Sequence, residues 1–181
     1  MKKTPEYQRV LAKAKDVRLL LLDVDGVLTD GKLFYTDQQS EGKAFNTQDG
    51  FGLRLLVEGE IDTGLITART SAVVARRAEE LQMSHIYQGI GNKNKALKAI
   101  LQHSGYKPFE VAYMGDDWLD LCLLSRVGLA LAPSNAVKEV KEAVHYVTER
   151  AGGGGAVRDA CDLLIEAKGL DQQLLQRYTI R

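Results

Sequence analysis

The sequence contains only two cysteines, no excess of either charge and no long hydrophobic run. Cys122 and Cys161 lie in apolar helical contexts without the spacing of a metal or redox motif, so we expect reduced thiols in a cytoplasmic protein. The 24 Lys and Arg residues balance 24 Asp and Glu residues, which predicts no general attraction to nucleic acid or to a membrane surface. The apolar runs are too short to cross a bilayer, and Met1-Lys2-Lys3 leads into a polar segment that does not resemble a signal peptide. We expect a single domain over residues 1–181, with its own hydrophobic core.

An apolar run, Leu19 to Leu22, leads directly into Asp23-Val24-Asp25-Gly26. A short apolar run of this kind predicts a strand buried on both faces, as in a parallel sheet. Two carboxylates at the end of such a strand have the chemistry that phosphoryl transfer needs. One binds Mg²⁺ and attacks phosphorus, and the other protonates the leaving oxygen and later activates water. Two solvated acids or a fragment of a calcium-binding loop would explain the same four residues, so this motif alone does not decide the function.

Further strands of this sequence are also followed by polar residues. These pairs of a predicted strand and a polar residue are Ile61–Ile66 with Thr67, His85–Tyr87 with Lys93, and Glu110–Met114 with Asp116. Lys93 is placed at the start of a predicted helix, where a cation opposes the helix dipole, and this position favours a bound anion beside it. Helical segments separate the strands, which predicts an α/β fold with a doubly wound, Rossmann-like, mainly parallel sheet.

Ligands of doubly wound sheets bind beyond the carboxyl ends of the strands, near the point where the strand order reverses. The polar residues that we expect to converge there are Asp23, Asp25, Thr67, Lys93 and Asp116. Between Asp30 and Thr67 the sequence holds only a predicted hairpin and one helix, and between Thr67 and Lys93 only one helix and one strand. The sequence therefore leaves no room for a cap domain.

Four segments outside the sheet carry separate predictions. A β-hairpin over 31–46 follows the acidic loop and is either a flap over the site or an ordinary edge hairpin. A polar turn follows the hairpin, with Asp49 as the cap of a helix over 53–58. Gly152 to Gly155 are interpreted as a flexible linker. The C-terminal tail over 168–181 is predicted to be frayed or docked on a partner subunit.

Together these motifs resemble those of the haloacid dehalogenase superfamily of phosphatases. The resemblance implies that Asp23 is the nucleophile and a ligand of Mg²⁺, and that Asp25 is the general acid and base with its backbone carbonyl on the metal. Asp116 would be the remaining protein ligand, and Thr67 and Lys93 would bind the phosphoryl oxygens. Two further acids, Asp117 and Asp120, would not bind the metal directly but would orient its bound waters and the side chain of Lys93.

Three more motifs narrow the resemblance to the capless phosphatases that act on 3-deoxy-D-manno-octulosonate 8-phosphate (KDO 8-phosphate), an intermediate of lipopolysaccharide precursor biosynthesis. They are Asp25-Gly26-Val27-Leu28-Thr29-Asp30-Gly31, Lys43-Ala44-Phe45-Asn46, and Ala151-Gly152-Gly153 with Gly155-Ala156-Val157-Arg158. Thr47-Gln48 and Ala68 depart from the residues typical of that family. The substrate-binding residues implied by the resemblance are Asp25, Asn46, Thr47, Gln48, Asp49, Gly50, Arg54, Arg69, Arg77 and Lys93.

The resemblance also implies a homotetramer in which a neighbour's hairpin and tail help to enclose the site. A guanidinium suits a sugar acid's carboxylate, and Arg69 favours the octulosonate over a nonulosonate 9-phosphate such as N-acylneuraminate 9-phosphate, which remains the alternative substrate. A response-regulator receiver would need an acid after the third strand, where Tyr87 ends the strand without one. A phosphomutase would normally carry a cap. A catalytically silent assembly domain is the last alternative, and the intact acidic and basic residues argue against it.

Overall fold

The computed structural model describes residues 4–35, 37 and 41–180, and its centre is a parallel sheet of six strands. An antiparallel pair, β2 and β3, lies outside that sheet. The strands in chain order are β1 (Leu19–Leu22), β2 (Phe34–Tyr35), β3 (Glu41–Gly42), β4 (Asp62–Ile66), β5 (His85–Tyr87), β6 (Val111–Met114), β7 (Leu129–Ala132) and β8 (Tyr146–Val147). Their order across the large sheet is β5-β4-β1-β6-β7-β8. The chain therefore builds outward from β1 on one side and then crosses to build on the other, which confirms the predicted doubly wound fold.

Helices cover both faces of the sheet. They are α1 (Pro5–Ala14), α2 (Thr47–Glu58), α3 (Ala72–Glu80), α4 (Lys93–Ser104), α5 (Leu121–Leu124), α6 (Lys138–Ala143), α7 (Ala156–Lys168) and α8 (Asp171–Thr179). The four leucines of β1 are fully buried and alternate between the two faces. Leu20 and Leu22 pack in the cluster formed with α1, α2, α3 and α7, whereas Leu19 and Leu21 pack in the cluster formed with α4, α5 and α6. This two-sided burial explains why the strand is continuously apolar.

In the part of the chain that the structure describes, no insertion between the strands forms a cap domain, and none of the helices there has the length and apolar character needed to cross a bilayer. Between β1 and β4 the chain forms only the hairpin and α2. The predicted hairpin is present, with Phe34 paired with Gly42 and Tyr35 with Glu41. Residues 36 and 38–40, which belong to the predicted hairpin, lie outside the described residues.

Helix α2 begins earlier than the sequence indicated. The side-chain oxygen of Asn46 accepts hydrogen bonds from the N–H groups of Gln48 and Asp49 at 2.7 and 3.3 Å, and it caps a helix that starts at Thr47. The prediction that Asp49 caps a helix starting at Leu53 is therefore wrong. Asp49 lies instead inside the first turn of α2, where its carboxylate accepts a hydrogen bond from the N–H of Arg158 at 2.7 Å.

The glycine segment at 152–155 is packed, and its interpretation as a flexible linker is wrong. Gly152 is buried, and a Cβ atom added to it would lie 1.8 Å from the carbonyl oxygen of Gly26. The N–H of Gly153 donates a hydrogen bond to the carbonyl of Val27 at 3.0 Å. Glycine is needed here because two backbone segments approach more closely than any side chain allows.

The prediction of a frayed tail is wrong for residues 171–179, which form α8. Leu174 of this helix is buried in the core, and the ring of Tyr178 packs edge to face on Phe51 of α2 with centroids 5.2 Å apart. The hydroxyl of Tyr178 donates to Glu58 at 2.5 Å. These contacts join the tail to its own chain, and docking of the tail on a partner subunit stays a prediction.

Candidate active site

The acidic residues meet at the carboxyl ends of β1 and β6, where the strand order reverses. The N–H of Asp23 donates to the carbonyl of Met114 at 2.9 Å, which extends the ladder between these neighbouring strands by one residue. Asp116 follows β6 after a single glycine. Because parallel strands end at the same edge, the two carboxylates lie side by side although they are 93 positions apart in the chain.

Lys93 reaches this edge from the first residue of α4. Its buried ammonium lies 2.9 Å from Oδ1 of Asp23 and 2.7 Å from Oδ1 of Asp120, and it donates to the hydroxyl of Tyr113 at 3.1 Å. Burial alone lowers the pKa of Lys93, but the charges of Asp23 and Asp120 outweigh it and raise that pKa. The structure therefore places a fixed positive charge beside the predicted nucleophile, which is the arrangement that binds a phosphoryl oxygen.

Asp120 holds that lysine with a carboxylate that is only 1% exposed. Its Oδ1 accepts hydrogen bonds from Lys93 and, at 2.6 Å, from the hydroxyl of Tyr113. Its Oδ2 accepts hydrogen bonds from the N–H groups of Asp116 and Asp117 at 3.0 and 3.2 Å. Both oxygens are thus occupied by protein donors, which supports a role behind the metal rather than on it. Sequence reasoning missed Tyr113, whose only signal was a phenol within an otherwise aliphatic strand.

The carboxylates of Asp23 and Asp116, beside Asp120, are suited to bind a divalent cation. Oxygens of Asp23, Asp116 and Asp120 lie within 4.8 Å of one another. Burial raises the pKa of Asp23 to about 6, with Lys93 opposing the shift, and burial together with Asp23 and Asp120 raises the pKa of Asp116 to about 7. Among the described residues no hydrogen-bond donor contacts the Asp116 carboxylate. Two crowded carboxylates with unused oxygens suit a hard ion such as Mg²⁺, which would favour their ionised forms.

Asp25 lies at the base of the hairpin, between two cations. Lys43 forms an ion pair with its Oδ1, and Nε of Arg69 lies 3.8 Å from its Oδ2. Glu41 contacts both cations, at 2.9 Å from Lys43 and 3.1 Å from Arg69. The hairpin is thus joined by charge to the predicted acid and base. The sequence analysis included Lys43 in a family motif without giving it a role of its own.

Thr67 ends β4 at the same edge and is buried. Its N–H donates to the carbonyl of Tyr87 at 2.9 Å, and its carbonyl accepts from the N–H of Ile90 at 3.0 Å. The hydroxyl accepts a 3.4 Å hydrogen bond from the N–H of Arg69. A cavity of about 320 Å³ adjoins this edge, and Ala68, Asn92, Lys93 and Trp118 are among the residues that line it.

The three predicted substrate arginines occupy different positions. Arg69 is partly exposed beside the hairpin, where it also donates to the hydroxyl of Tyr35 at 3.3 Å. Arg77 stacks over Phe45, with its guanidinium carbon 5.8 Å from the ring centroid. Arg54 is exposed on α2. Of the three, the structure brings only Arg69 into contact with a predicted catalytic carboxylate.

The predicted substrate-binding segment at 46–50 forms the start of α2. Asn46 donates to the carbonyl of Gly153 at 3.5 Å, and Gln48 accepts from Arg150 at 3.0 Å. Thr47 is exposed, and Gly50 is buried against the guanidinium of Arg77. The side chain of Asp49 is buried against α7, so only its backbone remains a candidate for the predicted substrate contact.

A second residue missed by sequence reasoning is Asn135, in the loop after β7. Its side-chain amide donates to the carbonyl of Gly26 at 3.1 Å, and its side-chain oxygen accepts from the N–H of Gly152 at 2.6 Å. Asn135 therefore links the acidic loop to the glycine segment. No local pattern in the sequence marks it, because both partners are far away in the chain.

Comparisons with known proteins identify the family of this chain and similar relatives. Residues 64–159 match the family model of haloacid dehalogenase-like hydrolases. The chain is 43% identical over 165 residues to the 3-deoxy-D-manno-octulosonate 8-phosphate phosphatase KdsC of Escherichia coli K12, covering 91% of this chain and 88% of the relative. The crystal structure of the Moraxella catarrhalis phosphatase of that name, in complex with magnesium, phosphate and KDO, superposes with a TM-score of 0.92. It is 37% identical, with 94% of this chain and 98% of that one covered. The Yersinia pestis phosphatase superposes with a TM-score of 0.87 at 41% identity, with 88% and 86% covered.

Proposed function

This chain belongs to the family of haloacid dehalogenase-like hydrolases, and we propose that it is a Mg²⁺-dependent phosphatase that hydrolyses KDO 8-phosphate to KDO and phosphate. The observation that carries this proposal is the contact of buried Lys93 with Asp23, at the edge of the sheet where Asp116 also lies. The chain that holds this contact is 43% identical to a KDO 8-phosphate phosphatase. The proposed nucleophile, the proposed phosphate-binding cation and the proposed metal ligand thus lie close together.

In the proposed reaction an oxygen of Asp23 attacks phosphorus, and the bond between phosphorus and the sugar oxygen breaks. Asp25 gives a proton to that leaving oxygen. Water then attacks the phosphorus of the aspartyl-phosphate while Asp25 accepts its proton, and phosphate leaves with Asp23 restored. Lys93 and the Thr67 hydroxyl hold the phosphoryl oxygens in both steps.

Mg²⁺ would be held by the carboxylates of Asp23 and Asp116 and by the backbone carbonyl of Asp25. When bound, it supplies positive charge that offsets the charges of the phosphoryl group and of the two carboxylates. Asp120 acts from behind, because its oxygens are already occupied by Lys93, Tyr113 and two backbone N–H groups. Asp117 is proposed to order water on the metal.

Substrate choice is proposed to depend on Arg69, whose exposed guanidinium lies beside Asp25 and suits the carboxylate of a sugar acid. Asn46, Thr47, Gln48 and the backbone of 49–50 are proposed to line the same side, with Arg54 and Arg77 behind them. The alternative substrate is a nonulosonate 9-phosphate, which presents the same carboxylate and phosphate on a longer chain.

We further propose that residues 1–181 act as one domain, in the cytoplasm, within a homotetramer. A site without a cap is open to water, and a neighbouring subunit's hairpin or tail is the part of the assembly that would close it. The exposed side chains of Phe34 and Tyr35 on the hairpin support a role in contacts between subunits.

The test is phosphate release from KDO 8-phosphate, N-acetylneuraminate 9-phosphate and glucose 6-phosphate, with Mg²⁺ and with EDTA. We expect Mg²⁺-dependent turnover that prefers KDO 8-phosphate. Asp23→Asn should abolish it, whereas the matched Asp30→Asn, an exposed acid of the same loop paired with Lys32, should not. Preference for the nine-carbon acid would move the substrate and keep the chemistry. No turnover of any of the three would leave the silent assembly domain as the better interpretation.

A further inference from the structure

Lys43 is a buried cation that the reaction described above does not use. Its side chain is only 1% exposed, although lysine normally keeps its ammonium group in water. It follows β3 directly, and its Nζ lies between the carboxylates of Asp25 and Glu41. Burial of a lysine is costly unless an opposite charge lies beside it, and here the opposite charge is the carboxylate of Asp25, the proposed acid and base.

Asp25 and three other side chains form a ring of alternating charges. Lys43 contacts Oδ1 of Asp25, and Nε of Arg69 faces Oδ2 at 3.8 Å. Glu41 contacts the two cations from the opposite side, at 2.9 Å from Lys43 and 3.1 Å from Arg69. The two oxygens of Asp25 therefore have different neighbours. Oδ1 is held closely by Lys43, and Oδ2 has only the longer contact with Arg69.

We infer that Lys43 is a positioning residue that fixes Oδ1 of Asp25, so that Oδ2 is presented to the oxygen of the leaving group. This inference rests on the proposed function, because it assigns Asp25 the proton transfer. An acid that must deliver a proton to one atom gains from a fixed carboxyl orientation. Glu41 completes the arrangement by holding Lys43 in place, and the hairpin thereby sets the geometry of the proton transfer.

The other possible role of Lys43 is to attach the hairpin to the fold. The two roles differ in how they depend on the leaving group. A sugar oxygen leaves as a poor leaving group and needs a proton from Asp25, whereas p-nitrophenolate leaves without one. Loss of positioning therefore slows formation of the aspartyl-phosphate selectively from the sugar phosphate, whereas loss of the hairpin's attachment slows that step alike from both substrates.

The experiment compares kcat/KM for KDO 8-phosphate and for p-nitrophenyl phosphate in wild type, Lys43→Met and Lys43→Arg, all with Mg²⁺, because kcat/KM reports formation of the aspartyl-phosphate and not its hydrolysis. We expect Lys43→Met to lower kcat/KM for KDO 8-phosphate by about 30-fold or more, a part of the roughly 10²–10⁴-fold that acid–base catalysis contributes, and to lower kcat/KM for p-nitrophenyl phosphate by no more than about threefold. Lys43→Arg keeps a donor to Asp25 and should recover part of the difference. The ratio of the two rates does not depend on how much of a variant is folded.

The matched control is Lys32→Met, which removes a lysine of the same hairpin whose side chain is 72% exposed and paired with Asp30. It should leave the ratio unchanged. An unchanged ratio in Lys43→Met, whether or not the two values fall, would overturn the positioning role. If the wild type hydrolyses N-acetylneuraminate 9-phosphate instead of KDO 8-phosphate, the proposed substrate fails, and the same comparison on that sugar phosphate still decides the role of Lys43. If the wild type hydrolyses none of KDO 8-phosphate, N-acetylneuraminate 9-phosphate and p-nitrophenyl phosphate, the proposed function and the positioning role of Lys43 are both overturned.

Discussion

Replacement of Asp120 by Asn tests whether the buried contact with Lys93 stabilises the fold as well as the site. The amide oxygen of Asn can still accept from the N–H groups of Asp116 and Asp117, which Oδ2 of Asp120 does now. Its NH₂ group would then face the ammonium of Lys93, where a carboxylate oxygen now lies 2.7 Å away. The substitution therefore removes one charge from a buried pair and leaves the backbone contacts in place.

Breaking a buried ion pair typically costs about 3–5 kcal/mol, because a buried charge is left without its partner. Lys93 keeps Asp23 at 2.9 Å, so we expect the lower end, about 3 kcal/mol. For a chain of this size that loss lowers Tm by about 6–12 °C. With a urea m-value of about 2 kcal/mol per M, it lowers the midpoint of unfolding by about 1.5 M.

The assay is urea unfolding in EDTA of the wild type, Asp120→Asn, Lys93→Met and the double variant. Because the two groups are in contact, the double variant should lose less stability than the sum of the single ones, by about 1–3 kcal/mol. Asp117→Asn is the matched control, since Asp117 is exposed and Asn keeps its cap on the N–H of Trp118, so its cost should stay below about 0.5 kcal/mol. A cost for Asp120→Asn as small as that of the control, or additive single variants, would refute the reasoning.

Three other predictions concern the metal, the glycine segment and the tail. Because burial raises the pKa of Asp23 to about 6 and of Asp116 to about 7, these two carboxyls bind more protons in the folded metal-free chain than in the unfolded one, and their contribution to stability should fall as pH rises from about 4 to about 7. Mg²⁺ should therefore raise Tm more at pH 7.5 than at pH 5.5 in thermal melts. Gly152→Ala should cost about 2–4 kcal/mol in urea unfolding, because its Cβ would lie 1.8 Å from a backbone oxygen. Leu174→Ala should cost about 2–4 kcal/mol in the same assay, since this side chain is 3% exposed.

Each of these predictions has a matched control. Asp116→Asn should reduce both the pH dependence and the response to Mg²⁺, and an unchanged pH dependence in this variant would contradict the assignment. Gly91→Ala meets no atom within 4 Å, so its stability should match that of the wild type. Leu175→Ala removes the next leucine of α8, which is 60% exposed, and should cost less than about 0.5 kcal/mol. Equal losses within either pair would show that the described packing does not determine stability.

The parts of the candidate site that follow from strand order could be predicted from the sequence. Asp23, Thr67 and Asp116 each come at or just after the end of a strand, and parallel strands end at one edge, so the spacing along the chain was enough to bring them together. The same alternation of strands and helices predicted the doubly wound sheet. The start of α2 was misplaced because Asn46 and Asp49 are both good capping residues, and only burial of Asp49 against α7 decides between them.

Contacts between residues far apart in the chain could not be predicted, because they depend on how the elements pack. Asn135 and Gly26 are 109 residues apart, and no local period relates them. The segment at 152–155 has the composition of a flexible linker, yet it is fixed because its backbone packs directly on the acidic loop. The roles of Lys43 and Tyr113 depend on which charge lies next to each side chain once it is buried, and burial is a property of the packed fold rather than of any short stretch of sequence.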